Sequence, residues 1–443
     1  MGMNKKMWAL HNWVGLYAGI VIAVLSITGV VALFKIEIDE ALNKDLFTVQ
    51  PRSKRVDLTP LIDSLKTVHG GKNLSYVRVH TGDTDSWSTM FFLRNSTLNI
   101  KQWEIFMDPY TGKILGERDI YKSIGFFLRN IHVRLYDNLF GRQIVGLAGI
   151  ALLISTITGF WIYGGFMKRQ FFGAIRKKNL RIRMADYHKL IGITTLLFNL
   201  MIAITGAWLG LQGYLQPVIV GSRPGVYKVA EKPISSEEDA ALSIDFEEVY
   251  TKTRTAFPEL IPHMMRPSSD GSRKVTVYGT VPRTAFERHT FTITFDKSTS
   301  QELHRYDIRK ASLSDKLFYI QESLHFGDFG GFVLKLLYAF FGTTSGFLAL
   351  SGFIVYLQRT ERERKERPKF VELKPLLLRW TLGITGYMGL LLVLHLAFGI
   401  VVPAILTVSL LYLSLAFLLL RALVLFIKKQ VLKYRRPKLN TDV

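Results

Sequence analysis

Six stretches of this chain are long and apolar enough to cross a bilayer core: residues 10–34, 141–165, 189–212, 332–357, 377–401 and 404–427. Each crossing takes about 20 residues of helix. Inside hydrocarbon every backbone N–H and C=O must find its partner within the chain, so runs of this length are expected to be helices. Everything else must be arranged around them. Of 443 residues, 49% are hydrophobic, yet Lys and Arg number 57 against 35 Asp and Glu. The basic surplus sits in short loops beside the apolar runs, which predicts membrane flanks rather than a nucleic-acid-binding face. The chain has no cysteine. That excludes disulfides, thiolate-bound iron–sulfur clusters, cysteine nucleophiles and covalent haem attachment through a Cys-x-x-Cys-His motif.

The loops orient the spans. Residues 166–188 and 358–376 are short and rich in Lys and Arg, and the tail at 428–443 is basic too. Positive-inside reasoning places all three in the cytoplasm together with the N-terminus. Two long polar, strand-like segments, 35–140 and 213–331, then face the opposite side as soluble domains. Lys5 and Lys6 precede the first run, but it is too long for a signal peptide and lacks a small-x-small cleavage site, so 1–34 reads as a retained anchor. The last two runs form a hairpin over 377–427, turning near Pro403.

An internal duplication organises the chain. His11 is followed at +4 by Gly15 and at +16 to +18 by Ile27, Thr28 and Gly29. His188 is followed at the same offsets by Gly192 and by Ile204, Thr205 and Gly206. His132 leads at +25 to Ile157, Thr158 and Gly159 and at +31 to Tyr163. His325 leads at those offsets to Leu350, Ser351 and Gly352 and to Tyr356. Even the polar segments correspond, "FMDPYTGKILGERDI" at 106–120 aligning with "TFDKSTSQELHRYDI" at 294–308, a shift of 188. Each half is thus span, outer domain, span, and because each starts on the same side the halves are parallel repeats.

Duplication sorts the histidines by depth. His11 and His188 fall at the cytoplasmic ends of the first and third spans; His132 and His325 fall just before the second and fourth, at the outer face. A pseudo-twofold axis along the membrane normal would set the members of each pair opposite one another, as two imidazoles must be to bind one iron from both sides of a porphyrin. Small residues follow at helical offsets: Gly15, Gly19, Ser26 and Gly29 after His11, and Gly192, Thr195, Asn199, Ala203 and Gly206 after His188. Such a stripe either opens a groove for a flat macrocycle or lets helix backbones approach in lipid. His395, near the outer end of the fifth span, has no repeat counterpart; as an intramembrane ionisable group it is a candidate outer ligand, a proton carrier or an interhelical hydrogen-bonding group. His69, His80, His263, His289 and His304 are scattered without metal-ligand spacing. Arg129, Arg134 and Arg142 lie near His132, where they either steer an anionic chelate or contact headgroups.

The segments "LHNWVGLYAGIVIAVLSITG" at 10–29, "IHVRLYDNLFGRQIVGLAGIALLISTITGFWIY" at 131–163, "DYHKLIGITTLLFNLMIAITG" at 186–206, and "LHFGDFGGF" with "LSGFIVY" at 324–356 resemble the PepSY-associated transmembrane proteins. The polar segments, with "DPYTGKIL" at 108–115, resemble PepSY domains. The second carries "DKSTSQEL" instead, which leaves its turn chemistry open. The likeness spans the chain up to the last hairpin. It implies a polytopic α-helical membrane protein with two α+β periplasmic PepSY-like domains, and a role like that of the family's haem-containing inner-membrane reductases of ferric siderophores. Carried over, the haem-binding positions are His11, His132, His188 and His325, with two haem b groups expected.

The implied reaction passes electrons from a cytoplasmic-side haem to an outer haem and on to a ferric siderophore or other ferric chelate beneath the PepSY domains. Oxygen ligands hold iron(III) more tightly than iron(II), so one-electron reduction releases the metal. The chain has no flavin or nicotinamide signature, so quinol or a separate reductase is the expected donor. Two other classes fit the same sequence: a non-enzymatic PepSY sensor, scaffold or peptidase regulator, and a transporter of a ferric chelate.

Overall fold

The computed structural model describes residues 3–359 apart from 69–72, 81, 95–99, 137–139, 168–173, 177–178, 220–243 and 269–272, and beyond 359 only 386 and 393. The spans expected at 377–401 and 404–427, the tail at 428–443 and His395 lie outside the described residues. In chain order the first helices are α1 (Met3–Leu33), α2 (Lys35–Leu42), α3 (Lys44–Phe47) and α4 (Leu58–Val68). Strands β1 (Asn73–Arg78), β2 (Trp87–Arg94), β3 (Ile100–Met107) and β4 (Ile114–Asp119) follow, then α5 (Ile124–Arg134), α6 (Phe140–Met167), α7 (Leu180–Thr194) and α8 (Leu196–Ile219). The second half holds α9 (Phe246–Ala256), β5 (Ile261–Pro267), β6 (Lys274–Thr280), β7 (Phe291–Asp296), β8 (Glu302–Asp307), α10 (Leu313–Phe326) and α11 (Gly331–Arg359).

Among the described residues four helices, α1, α6, α8 and α11, contain stretches long and apolar enough to cross a membrane. Their outward surfaces keep large apolar side chains exposed, among them Trp13, Tyr17, Leu197 and Val333. In water that surface would be costly; in lipid it is the solvent-facing side. The helices close a ring: α1 packs on α6 and α11, α8 packs on α6, and α7 packs on α11. Where α6 crosses α8, Gly146 meets Gly210 and Gly149 meets Ala207 so closely that any added Cβ would strike backbone. Dispersion contacts of this kind bind helices in lipid, where apolar burial gives no advantage.

The third span is broken once. Thr195 separates α7 from α8, and its hydroxyl donates to the Ile191 carbonyl at 2.7 Å. Back-bonding of this type bends helices. The bend is tied off by Asn199, whose Nδ2 donates to Thr195 Oγ1 at 2.8 Å while its Oδ1 accepts from Ser345 Oγ of α11 at 2.7 Å.

The strands form one antiparallel sheet in the order β4-β3-β2-β1-β5-β6-β7-β8. The segments expected as two soluble domains are therefore joined edge to edge through β1 and β5, which leaves neither of those edges open. Val77 pairs with Met265, its own equivalent under the shift of 188, so the axis relating the halves passes through that pair. The same shift carries α4 onto α9 and β4 onto β8, residue for residue. Leu58, Ile62, Phe246 and Val249 from the two helices bury themselves on Val77, Met265, Val277 and Ile293 of the sheet. The helix starts cap each other across the axis: Thr59 Oγ1 donates to Asp245 Oδ1 at 2.8 Å and Glu247 accepts from the Leu58 N–H at 3.0 Å.

The turn left open by the sequence is the same in both halves. Asp108 accepts from the N–H groups of Tyr110 and Thr111, and Asp296 from those of Ser298 and Thr299. Gly112 takes the left-handed position in the first turn, φ 70°, and Ser300 takes it in the second, φ 50°. An Asx turn needs the aspartate more than it needs the glycine.

Candidate functional site

Two short helices carry histidines to the sheet-facing end of the bundle. Ser123 caps α5 by accepting from the Phe126 N–H, Ser312 caps α10 by accepting from the Asp315 N–H, and His132 and His325 occupy their last turns. A left-handed residue ends each helix directly afterwards, Leu135 at φ 46° and Gly327 at φ 62°. His11 lies on α1 and His188 on α7, toward the far end.

Within each half the two spans grip each other by histidine and glycine. The His11 ring lies on Gly159 and the His132 ring on Gly29; the His188 ring lies on Gly352 and the His325 ring on Gly206. A Cβ added at Gly29 would stand 2.8 Å from Cε1 of His132, and at the other three glycines the corresponding gap is 3.1 to 3.3 Å. A side chain at Gly29 would displace the ring, and at the other three the ring would have to give by a few tenths of an ångström. The recurring glycine 18 residues after His11 and His188 is thus the seat for the histidine of the following helix.

Between the halves the imidazoles face one another. The ring centroids of His11 and His188 are 6.2 Å apart with planes at 82°, and those of His132 and His325 are also 6.2 Å apart with planes at 26°. From His11 to Leu25, whose carbonyl His132 engages, α1 climbs about 21 Å at 1.5 Å per residue. The structure therefore brings together the two pairs that the offsets had matched, in two tiers at opposite ends of the bundle.

Each Nδ1 is tied to the residue preceding, or near, the glycine seat. His11 Nδ1 donates to the Ser155 carbonyl at 3.1 Å and reaches Thr158 Oγ1 at 3.0 Å. His132 Nδ1 donates to the Leu25 carbonyl at 3.0 Å and lies 3.4 Å from Thr28 Oγ1. His188 Nδ1 is 2.9 Å from Ser351 Oγ, and His325 Nδ1 is 3.0 Å from Thr205 Oγ1. Those hydroxyls donate their own protons to carbonyls in the preceding turn, as Thr205 does to Met201 at 2.7 Å and Thr158 to Ile154 at 2.6 Å. Their oxygens are then acceptors, so Nδ1 carries the proton and Nε2 presents its lone pair. Among the described residues no hydrogen bond engages any of the four Nε2 atoms.

This donor set fits an axially ligated haem. A metal–nitrogen bond of about 2.0 Å plus the ring radius separates two axial imidazole centroids by roughly 6 Å. A second acceptor on Nδ1–H is what fixes ring orientation and raises ligand basicity in histidine–metal centres. Removing one such acceptor has a defined consequence. Thr205→Val keeps the shape but strips His325 of its hydroxyl, so if this tier holds haem, affinity there should fall roughly 10- to 100-fold. Its midpoint potential should rise, because a less basic imidazole stabilises iron(III) less. Haem titration and redox potentiometry of the purified variant would read both.

The threonines and Ser351 appear in the sequence only as markers of the repeat. Their register one residue before each glycine was the available signal for a shared task. Of the predicted arginines, Arg142 donates to the Leu209 carbonyl through Nε and Nη2 at 3.0 and 2.8 Å, closing the α6–α8 contact. Arg134 sits half-buried on the last turn of α5 and Arg129 is exposed one turn earlier. Lys35 and Arg288, which the sequence reading passed over, join this end of the bundle. In the sheet, burial and the fields of Arg78, His289 and His80 push His263 down to about 4. Among the described residues no three His, Asp or Glu side chains gather to hold a metal ion.

A bundle of membrane helices bearing paired imidazoles at two levels, capped by one antiparallel sheet, defines a membrane protein with a soluble domain. The family model of the PepSY-associated TM region matches residues 8–359, which include all four histidines, and the chain belongs to that family. No curated protein matches it.

Proposed function

We propose that the protein is a di-haem reductase of the bacterial inner membrane that passes electrons to a periplasmic ferric siderophore or other ferric chelate and releases the iron as Fe(II). In this reading the chain has six spans, arranged as two parallel repeats with a C-terminal hairpin. Both termini are cytoplasmic and the sheet is periplasmic. The reading is carried by one observation: two facing imidazole pairs, each 6.2 Å between centroids, with Nδ1 occupied and Nε2 free.

His11 and His188 hold the cytoplasmic-side haem b, and His132 and His325 hold the periplasmic-side one. Bound there, the haems supply one-electron redox chemistry, drawing on quinol or a separate reductase. The chain's own part is to fix ring angle and tautomer through Thr28, Thr158, Thr205 and Ser351, to keep water off the pairs within the bundle, and to present the chelate to the upper tier. The sheet, closed edge to edge at Val77 and Met265, roofs that tier.

The visible spectrum of the detergent-purified protein, before and after dithionite, tests the proposal. Sharp reduced alpha and Soret bands are expected, and they should fade when a ferric chelate is added without oxygen. A colourless preparation that takes up no added haem sinks it.

A further inference from the structure

The sheet-facing tier is flanked by positive charge, part of which has no hydrogen-bonded or ion-paired partner among the described residues. Lys35 begins α2 immediately beyond the first span, and its backbone carbonyl packs against Gly125 of α5. Its ammonium is half-buried and makes no hydrogen bond or ion pair among the described residues. It is near enough for its charge to act on His132. Arg129, one turn before His132 on α5, likewise has no hydrogen-bonded or ion-paired partner among the described residues.

Arg288 completes the group from the strand side. Its backbone is left-handed, φ 66°, a strained conformation for a non-glycine residue. Its guanidinium lies 4.1 Å over the ring of Phe326, the neighbour of His325, and pairs with Asp328, while its buried Nε finds no partner. The fields of these cations overlap. Burial, together with Arg288 and Arg129, lowers the Lys35 ammonium to about 8. Carboxylates answer part of this charge: Asp328 pairs with Arg288 and also acts on Lys35, Glu287 and Glu322 lie in the field of Arg288, and Glu37 pairs with Lys335. A half-buried cation held beside like charges is costly until an anion accepts its hydrogens.

We propose that Lys35, Arg129 and Arg288 form a binding site for the carboxylate groups of an anionic ferric chelate at the rim of the His132–His325 pair, a reading that takes its iron from the function proposed above. Three cations from three separate elements suit a polycarboxylate better than a single headgroup phosphate. Lys35 and Arg288 are half-buried, the first with its backbone against α5 and the second over Phe326 at the end of α10.

Gallium(III) citrate, which is not reduced, separates anion binding from redox chemistry. Full-length protein in nanodiscs of zwitterionic lipid is titrated with it by calorimetry. Wild type should bind, less tightly as salt rises. Lys35→Gln and Arg129→Gln should each weaken binding roughly tenfold, the scale of one charge-assisted hydrogen bond. Lys35→Arg should retain it, and a cationic gallium trihydroxamate should not discriminate among the variants. No binding by wild type, or equal binding by all variants, overturns the proposal. Loss of haem from Lys35→Gln would assign the site to haem propionates instead, and competition by anionic phospholipid would assign it to headgroups. Binding as expected in a protein without haem bands would leave the anion site standing and remove the reductase.

Discussion

If the two pairs hold haem as proposed, His188→Ala should leave the protein with one low-spin ferric signal where the wild type has two, and with about half its haem, because each iron would depend on its own imidazole pair. The signals should be distinguishable before any mutation. Near-parallel axial planes, as at His132 and His325 with 26°, lift the degeneracy of the iron dπ orbitals and give a rhombic spectrum. Planes near perpendicular, as at His11 and His188 with 82°, leave those orbitals close in energy and give a strongly anisotropic one. Electron paramagnetic resonance of the oxidised protein should therefore show both. His188→Ala and His11→Ala should each delete the anisotropic component, and His325→Ala the rhombic one. Both components falling together, or neither, would contradict the two-tier pairing.

Much of this pairing was readable from spacing alone. Identical offsets from His11 and His188, and from His132 and His325, required the halves to be related by an axis, and an axis places equivalent residues face to face. What each glycine does was not readable. Gly29 looks like any small residue in a membrane helix until the ring of His132 from α5 is seen resting on it. The hydroxyl of Thr205 was hidden for a related reason. A threonine in an apolar helix normally satisfies itself on the preceding turn, and only the approach of His325 from another helix shows that its oxygen has a second use.

The two soluble domains expected at 35–140 and 213–331 share one sheet. Strand pairing between β1 and β5 joins residues nearly 190 apart, and nothing local in either strand announces it. Yet the register is consistent with the repeat: Val77 on Met265 is the pairing an axis through the seam demands. The same axis relates the imidazoles, so the sheet's seam and the two His pairs are consequences of one duplication. Where the halves differ, the structure tolerates it differently. In the first, Arg118 bridges the buried carboxylates of Asp39 and Glu104. The equivalent positions of Arg118 and Glu104 in the second half hold Tyr306 and Thr292, which need no counter-charge.

The stripe of small residues after His11 admitted two readings, groove or close packing, and the structure separates them by position. Gly19 belongs to packing, since the Ala349 carbonyl of α11 lies 3.8 Å from a Cβ built there, and Gly29 seats the His132 ring. Gly15 does neither: nothing lies within 4 Å of a Cβ built there, although the residue is half-buried and one helical turn from His11 on the same face. Gly15→Leu should accordingly leave thermal stability and monodispersity in detergent unchanged, because a Cβ at this position meets no protein atom. It should also abolish the anisotropic signal of the His11–His188 tier, because the side chain fills the space a macrocycle needs beside its ligand. Gly210→Leu is the contrasting change, expected to unseat α6 from α8 and cost the folded protein as a whole. If Gly15→Leu keeps both ferric signals at full intensity, the open space beside Gly15 faces lipid, and the cofactor's plane must be sought on another side of His11.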